Sequence, residues 1–266
     1  MNDSDKKFII EYETETWSRC ADSYLDTFSM LTGQMLPRVI EAANVKSGSR
    51  VLDIGCGPGN STRALADAGA IATGLDFSES MVAAAKAANP GCSFKLADGE
   101  KIPEDDDSFD AVIANYVVHH LPEPDKVFAE AARVLKPGGR FVFAVWGPKP
   151  EQSSIGCFVR AVSSHHDPEA LPHGPLFGVT DKETFLPLME NAGLAGFELT
   201  NHKTEWKCDT LDPVIDGLWT WANVKAFPQE KQDKIMADMK ENCSEFAVDG
   251  GYVFPHTAIL GHATKP

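Results

Sequence analysis

Short apolar runs recur through the middle of the chain and are separated by amphipathic segments. The runs occupy residues 50–54, 71–75, 93–97, 109–114 and 140–146. Apolar runs of this length that alternate with segments of helical periodicity are typical of strands buried in a parallel sheet. The pattern therefore predicts an α/β fold for the middle of the chain.

The two flanks of this alternation lack its regular rhythm. Apolar positions at helical spacing predict helices at about 14–29 and 35–44, whereas the polar residues 1–12 are expected to fray. Residues 147–180 are rich in Pro, Gly, Ser and His and predict an insertion near the mouth of a ligand site. A second, more helical insertion is predicted at 211–247, before a final strand.

The turn after the first apolar run contains the strongest chemical signal. Residues 51–60 read Val-Leu-Asp-Ile-Gly-Cys-Gly-Pro-Gly-Asn. Glycines in such a turn let backbone N–H groups approach a ligand at a helix N-terminus, where a Cβ would block the approach. Asp76 ends the next apolar run, which is where nucleotide-binding α/β folds place a ribose-binding carboxylate, although a helix cap is the alternative. Asn60 replaces the third glycine of the dinucleotide fingerprint and counts against a nicotinamide cofactor.

Charge and cysteine usage narrow the range of partners. The chain has 24 Lys and Arg against 39 Asp and Glu, a formal net charge of −15. Because polyanions bind through Lys and Arg, nucleic acids and anionic membranes are poor candidate partners. The six cysteines form no C-x-x-C pair and are expected to be free thiols in a reducing compartment. Without a signal peptide or a long apolar run, a cytoplasmic location is expected.

Three groups of side chains remain open to more than one interpretation. His165, His166, Asp167 and His173 carry ligand chemistry, but their spacing favours a solvated loop over a metal site. Trp17 and Tyr24 fit either a core stripe or a lid over the ligand. Three further tryptophans could line an aromatic acceptor pocket or fill a small core: Trp206, Trp219 and Trp221.

Five motifs, in order, resemble class I S-adenosylmethionine (SAM)-dependent methyltransferases of the ubiquinone/menaquinone-biosynthesis type. They lie at 51–59, 74–78 (Gly-Leu-Asp-Phe-Ser), 97–100 (Ala-Asp-Gly-Glu), 108–112 (Ser-Phe-Asp-Ala-Val) and 133–139 (Arg-Val-Leu-Lys-Pro-Gly-Gly). The resemblance implies a Rossmann-like, seven-stranded, mostly parallel sheet with an antiparallel last strand. Helices would cover both faces, and a helical or loop cap would lie over the active site.

The same resemblance implies one methyltransferase domain over residues 1–266. Its parts would be an N-terminal helical lid (1–48), a SAM-binding core (49–146), substrate-side insertions (147–180 and 205–250) and the last core strand (251–263). The implied site residues form three groups. Glycines would hold the methionine part of SAM: Gly55, Gly57 and Gly59. Carboxylates would accept hydrogen bonds from its amino group, ribose and adenine, in that order: Asp53, Asp76 and Asp98. Four further residues would border the ligand: Phe77, Met81, Gly99 and Asn115.

His119 and His120 follow the fourth predicted strand and are candidate catalytic bases. Ligands of open α/β sheets bind beyond the carboxyl ends of the strands, so this loop should place at least one imidazole beside the ligand. Imidazole is suited to taking a proton near neutral pH. Adjacent residues cannot both point the same way, and a role in positioning the substrate is the competing interpretation.

The predicted activity is methyl transfer from SAM to an O, N or C atom of a small organic acceptor, with S-adenosylhomocysteine (SAH) as the product. Residues 115–118 read Asn-Tyr-Val-Val and lack the Pro-Pro pair found in enzymes that methylate nucleic-acid bases or amide nitrogens. A SAM-binding enzyme that catalyses rearrangement or cyclisation is the alternative on the same fold. A nicotinamide-dependent dehydrogenase and a non-enzymatic binding subunit are the other hypotheses.

Overall fold

The structure is a computed structural model that describes residues 2–166 and 173–266. Within these residues, eight strands form a single mixed sheet. They are β1 (Arg50–Ile54), β2 (Ile71–Asp76), β3 (Ser93–Leu96), β4 (Phe109–Asn115), β5 (Leu135–Trp146), β6 (Ala195–Cys208), β7 (Ala247–Val248) and β8 (Gly251–Thr264).

The order of the strands confirms the predicted fold class. Seven strands run in the order β3-β2-β1-β4-β5-β8-β6, and the two-residue β7 pairs with β8. The pairs from β3 through β5 are parallel, whereas β8 is antiparallel to both β5 and β6. The order reverses between β1 and β4, which is where open α/β sheets form their ligand crevice.

Helices cover both faces of the sheet, as expected for a buried parallel sheet. In the described residues they are α1 (Asp3–Cys20), α2 (Ser29–Thr32), α3 (Leu36–Ala42), α4 (Asn60–Asp67), α5 (Glu79–Ala88), α6 (Pro124–Val134), α7 (Ser153–Ser163), α8 (Lys182–Asn191), α9 (Asp212–Trp221) and α10 (Gln229–Cys243). None of these helices combines the length and the apolar character that crossing a bilayer requires.

The N-terminal prediction was wrong in its boundaries. Residues 3–12, which were expected to fray, are helical: α1 begins at Asp3, and the Asn2 side chain caps it by accepting from the Asp5 N–H at 2.9 Å. The helix ends at Cys20, well before the predicted end at residue 29. Periodicity missed the first part of the helix because its buried positions there include a carboxylate, Glu13.

The helix that follows the glycine turn is not capped by a side chain. Neither Asn60 nor Ser61 caps α4; its N-cap is Gly59, in the left-handed region at φ +90°. The Ser61 hydroxyl instead donates to Asp53. The next helix, α5, is capped by Ser78, whose hydroxyl accepts from the Met81 N–H.

The insertions form an apolar cluster of their own beside the sheet. Phe158 of α7, Val214 and Leu218 of α9, and Met239 of α10 are all buried in it. Trp206 and Trp219 lie in the same cluster and are 0% and 6% exposed, and Trp221 packs against its edge. Of the two interpretations of these tryptophans, the structure therefore favours core packing.

Candidate functional site

A cleft opens at the carboxyl ends of β1, β2 and β4 and is covered by α1. Its cavity volume of about 180 Å³ would admit on the order of ten water molecules, so it is sized for an organic ligand and not for a single ion. Nine of the twelve predicted site residues line it: Gly55, Gly57, Asp76, Phe77, Met81, Asp98, Gly99, Asn115 and His120. The other three, Asp53, Gly59 and His119, lie behind the cleft wall.

Two glycines of the first turn have different roles: one leaves space for a ligand, and the other allows close packing. Gly57 has φ +52°, and a Cβ built on it would meet only the Met81 sulfur, at 4.0 Å. A Cβ on Gly59, at φ +90°, would instead lie 2.8 Å from both Asn89 and Phe94. Gly57 therefore leaves open space on the cleft side of the turn, whereas Gly59 lets the turn pack closely against its neighbours.

Asp53 supports the turn from beneath. Its Oδ2 accepts from the hydroxyls of Ser61 and Thr62, each at 2.6 Å, which fixes the first turn of α4 against β1. Its Oδ1 has no hydrogen-bond partner among the described residues. Full burial raises the pKa of Asp53 to about 6. The carboxyl is thus placed to hold the loop and does not line the cleft.

Asp76 stands at the end of β2 with its carboxylate held by backbone N–H groups. Oδ2 accepts from Gly57 and Oδ1 from Ser78, both at 2.9 Å. A carboxylate has about four acceptor positions, so two remain for donors of a ligand. Burial raises the pKa of Asp76, and hydrogen bonds from backbone N–H groups oppose that shift. Because Ser78 caps the following helix, Asp76 is not needed for that role.

Three predicted residues form the rim near β2 and β3. The Phe77 ring is 41% exposed although it is large and apolar, so it presents a free face at the cleft. Met81 is buried against Cys20 and Ala21 of the N-terminal segment. Asp98 is exposed, and its Oδ1 accepts from the Glu100 N–H at 2.9 Å.

The cleft is acidic. Four carboxylates line it, from Glu13, Asp76, Asp98 and Glu100, and no Lys or Arg from the described part of the chain does so. Glu100 is paired with Lys126 outside the lining, at 3.3 Å. A ligand that carries positive charge would be favoured here, and an anionic group would lack a cationic partner.

The two neighbouring histidines have different surroundings. His119 is 2% exposed, and neither ring nitrogen has a partner among residues 2–166 and 173–266. Burial and the adjacent imidazole hold the pKa of His119 well below its ordinary value. His120 lines the cleft, with its Nδ1 3.1 Å from Glu13 Oε1. The geometry therefore favours His120 over His119 as the candidate base.

Glu13 connects His120 to the N-terminal helix. Its Oε2 accepts from the Trp17 indole N–H at 2.8 Å, and the Trp17 ring meets the His120 ring edge-on at 5.0 Å between centroids. Sequence analysis missed Glu13, because it lies 107 positions from His120 and no local pattern links them. Only the packing of α1 across the cleft brings the two side chains together.

The end of β4 presents two polar groups that have no partner. Asn115 Nδ2 donates to the Thr32 carbonyl at 3.3 Å, but its Oδ1 is buried and unbonded within the described chain. Tyr116 has φ +60°, and its buried hydroxyl likewise lacks a described partner. Unbonded buried polar atoms beside a cleft are suited to bind a ligand. The backbone strain at Tyr116 marks the position, but no sequence signal revealed it.

His165, His166 and His173 do not line this cleft. His165 contacts Asp238 at 3.0 Å and His166 contacts Lys231 at 3.3 Å, while Asp167 lies outside the described residues. The His173 ring stacks on Phe177. No group of three or more His, Cys, Asp or Glu side chains in the described ranges could hold a metal ion.

Comparison with known proteins identifies the segment that builds the cleft. Residues 52–143 match a family described as a methyltransferase domain. A demethylmenaquinone methyltransferase of Renibacterium salmoninarum is 41% identical over 106 residues, 40% of this chain and 45% of that protein. The aligned region thus spans less than half of that relative's length. The crystal structure of the YcgJ protein of Bacillus subtilis shares the fold, with a TM-score of 0.59, 22% identity, and coverage of 88% of this chain and 98% of that one.

A longer alignment with a second relative shows to which family the chain belongs. A demethylmenaquinone methyltransferase of Clavibacter sepedonicus is 33% identical over 169 residues, which are 58% of this chain and 69% of that enzyme. The alignment therefore extends beyond the region matched by the domain family. The chain belongs to the class I methyltransferase family that its sequence motifs indicated.

Proposed function

We propose that this protein transfers a methyl group from SAM to a small organic acceptor bound in the same cleft, with SAH as the product. The observation that carries the proposal is that nine residues predicted from separate motifs converge on one cleft at the switch point of the sheet. The acidic lining supports a cationic donor. The net charge of −15 supports a small acceptor and not a nucleic acid.

The residues present fit SAM on one side of the cleft. This cofactor side consists of Gly55, Gly57, Asp76, Phe77 and the Asp98–Gly99 pair. Gly57 leaves room for close approach to the turn, Asp76 has acceptor capacity for the ribose hydroxyls, and Phe77 offers a ring face to adenine. When bound, SAM would supply an activated methyl group on a cationic sulfur.

The remaining lining forms an acceptor side, which we define as Glu13, Trp17, Tyr24, Tyr116 and His120. Trp17 and Tyr24 come from the N-terminal segment and cover the cleft, so they would exclude water from the reacting atoms. The unbonded Tyr116 hydroxyl and the His120 ring would orient the acceptor. Fixing the acceptor in line with the methyl group can supply much of the rate enhancement.

The proposal also covers the domain organisation of the chain and its cellular location. Residues 1–48 would act as the lid and 49–146 as the SAM-binding core of one methyltransferase domain. The segments 147–180 and 205–250 would shape the acceptor side, and 251–263 would complete the sheet. A cytoplasmic location agrees with the unpaired state of the six cysteines in the structure.

Two measurements test the proposal. Calorimetry should register binding of SAM and SAH but not of NAD; binding of NAD alone would favour the dehydrogenase hypothesis. Incubation with SAM and candidate acceptors should then give one SAH for each product that gains one methyl group, as measured by mass spectrometry. Conversion of an acceptor without SAH release would instead establish the rearrangement or cyclisation alternative.

A further inference from the structure

Two cysteines lie side by side where α7 packs against α10. Cys157 and Cys243 are each 0% exposed and belong to the apolar cluster that the insertions form. The Cys157 thiol donates to the Asn242 carbonyl at 3.3 Å, and the Asn242 side-chain amide donates to the Cys157 carbonyl at 3.1 Å. Because the Asn242 carbonyl belongs to the peptide bond that leads into Cys243, these two hydrogen bonds hold the thiols next to each other.

The two sulfurs differ in their electrostatic surroundings. Arg160, one turn along α7, donates from Nη2 to the Cys157 sulfur at 3.5 Å, and its guanidinium also pairs with Glu245 at 3.1 Å. A hydrogen bond from the Cys243 thiol lowers the pKa of Cys157, and the Arg160 charge acts in the same direction. Burial and the Glu245 charge oppose this shift. The same thiol contact and burial raise the pKa of Cys243, so Cys157 is the thiol that ionises first.

The thiol pair is buried but lies close to the protein surface. Cys243 is the last residue of α10, and the Arg160 side chain beside Cys157 is 54% exposed. The end of a helix opens more readily than its centre, so a small oxidant can reach the sulfurs without global unfolding. Neither cysteine lines the cleft, so chemistry at this pair is separate from methyl transfer.

We propose that Cys157 and Cys243 form a peroxide-reactive dithiol site, in which Cys157 is the nucleophile and Cys243 closes a disulfide. The Cys157 thiolate attacks one oxygen of hydrogen peroxide and becomes a sulfenic acid. The O–O bond breaks, and the departing hydroxide takes up the proton that Cys157 lost on ionisation.

The second step links the two helices. The Cys243 sulfur attacks the Cys157 sulfur, so that the S–S bond forms and the S–O bond breaks. The proton of Cys243 leaves with that oxygen as water. Two electrons have then passed from the two thiols to hydrogen peroxide, which gives two water molecules, and a disulfide joins α7 to α10.

The first test uses the unmodified full chain. The folded protein is treated with hydrogen peroxide, free thiols are blocked with N-ethylmaleimide, and peptides are analysed by mass spectrometry without reduction. We expect a Cys157–Cys243 cross-link, with the loss of two hydrogens, before any of the other four cysteines reacts, and dithiothreitol should reverse it. A first cross-link through Cys208, a member of the same cluster, would overturn the proposal, as would the absence of a Cys157–Cys243 cross-link.

Two substitutions test the different roles of the sulfurs. In Cys243→Ser the sulfenic acid on Cys157 should persist, and dimedone should trap it. In Cys157→Ser the remaining thiol of the pair should not react with dimedone after peroxide treatment. A dimedone adduct on Cys243 in that variant would overturn the assignment of the nucleophile.

A third substitution tests the activation of Cys157 and leaves both thiols in place. Arg160→Gln should slow cross-linking by hydrogen peroxide severalfold, because the guanidinium no longer favours the thiolate. Arg63→Gln on α4 is the matched control, since the Arg63 side chain is 56% exposed and also pairs with a carboxylate, that of Asp67. This control should react at the wild-type rate. Equal rates in Arg160→Gln and the wild type would contradict the nucleophilic role of Cys157.

Discussion

The two sides of the cleft are built in different ways. The cofactor side comes from residues 55–99, in which consecutive strand ends each supply a short motif. The acceptor side combines residues 13–24 with residues 116 and 120, and its central contact joins positions 107 apart. Parallel strands bring their carboxyl ends together automatically, whereas the lid must dock by tertiary packing. The cofactor side is thus a product of local sequence, and the acceptor side is a product of the assembled fold.

The comparison predicts that the acceptor side can be disabled while the cofactor side remains intact. His120→Gln should lower turnover of the true acceptor by about 10²–10⁴-fold, because the proton acceptor is lost. The affinity for SAH should stay within about twofold, since His120 is outside the cofactor side. SAH release measured by mass spectrometry gives the first quantity and calorimetry the second. Equal losses in both would mean that the two sides are not separable.

Two buried groups outside the cleft lining contribute to stability with opposite pH dependence. On the cofactor side, beneath the turn, the folded-state pKa of Asp53 is about 6, above the unfolded value of about 3.9. The folded state binds the extra proton, so this group lowers the free energy of unfolding by roughly 3 kcal/mol as pH rises from about 4 to 6. On β8, burial of His256 lowers its pKa to about 4, below the unfolded value of about 6.5. That group lowers the free energy of unfolding by a similar amount as pH falls from about 6.5 to 4.

Single substitutions should reveal these opposing contributions. Asp53→Asn removes a contribution that grows on acidification, so from pH 6.5 to 4 that variant should lose more stability than the wild type does. His256→Gln removes a contribution that is lost on acidification, so that variant should lose less stability than the wild type over the same interval. Urea unfolding at several pH values measures the change in each variant and in the wild type. Departures from the wild type in the same direction in both variants would contradict the assignment, even if both variants are less stable than the wild type.

A substitution at Asp76 should weaken the cofactor side and leave the acceptor side intact. Asp76→Asn replaces one charged acceptor oxygen by an amide group, which cannot accept from both the Gly57 N–H and a ribose hydroxyl. Affinity for SAH should fall by about 1–3 kcal/mol, or roughly 5–150-fold in Kd. Asp98→Asn, at an exposed position of the same rim, is the matched comparison and should show a smaller loss by calorimetry.

Substitutions in the glycine turn test the different roles of Gly57 and Gly59, and the smallest expected change in stability is at Gly57. Gly57→Ala should lower the free energy of unfolding by only about 1–2 kcal/mol, the cost of the left-handed conformation, because its Cβ would meet no close neighbour. Gly59→Ala should cost more, since its Cβ would also press on Asn89 and Phe94. In contrast, SAH affinity should fall in Gly57→Ala. A larger stability loss at Gly57 than at Gly59 would reverse the assigned roles.

The sequence alone determined the sheet and most of the cofactor side. Apolar runs and glycine turns gave the five parallel strands within a few residues, because backbone conformation and burial at these positions depend on near neighbours. Asp76, Phe77 and Asp98 could be placed because each follows directly from the end of a predicted strand. The sequence did not reveal that Asp53 and Gly59 lie behind the cleft wall, since the motif specifies a turn and not the direction of each side chain.

Only the tertiary structure decided the acceptor side. The choice between His119 and His120 depends on which imidazole the loop buries, and adjacent residues carry no pattern that distinguishes them. The pairing of Glu13 with His120 depends on how α1 docks across the sheet, and the left-handed backbone at Tyr116 is a consequence of the same packing. Contacts between residues far apart in the chain are set by the shapes of packed surfaces, and a local stretch of sequence does not contain that information.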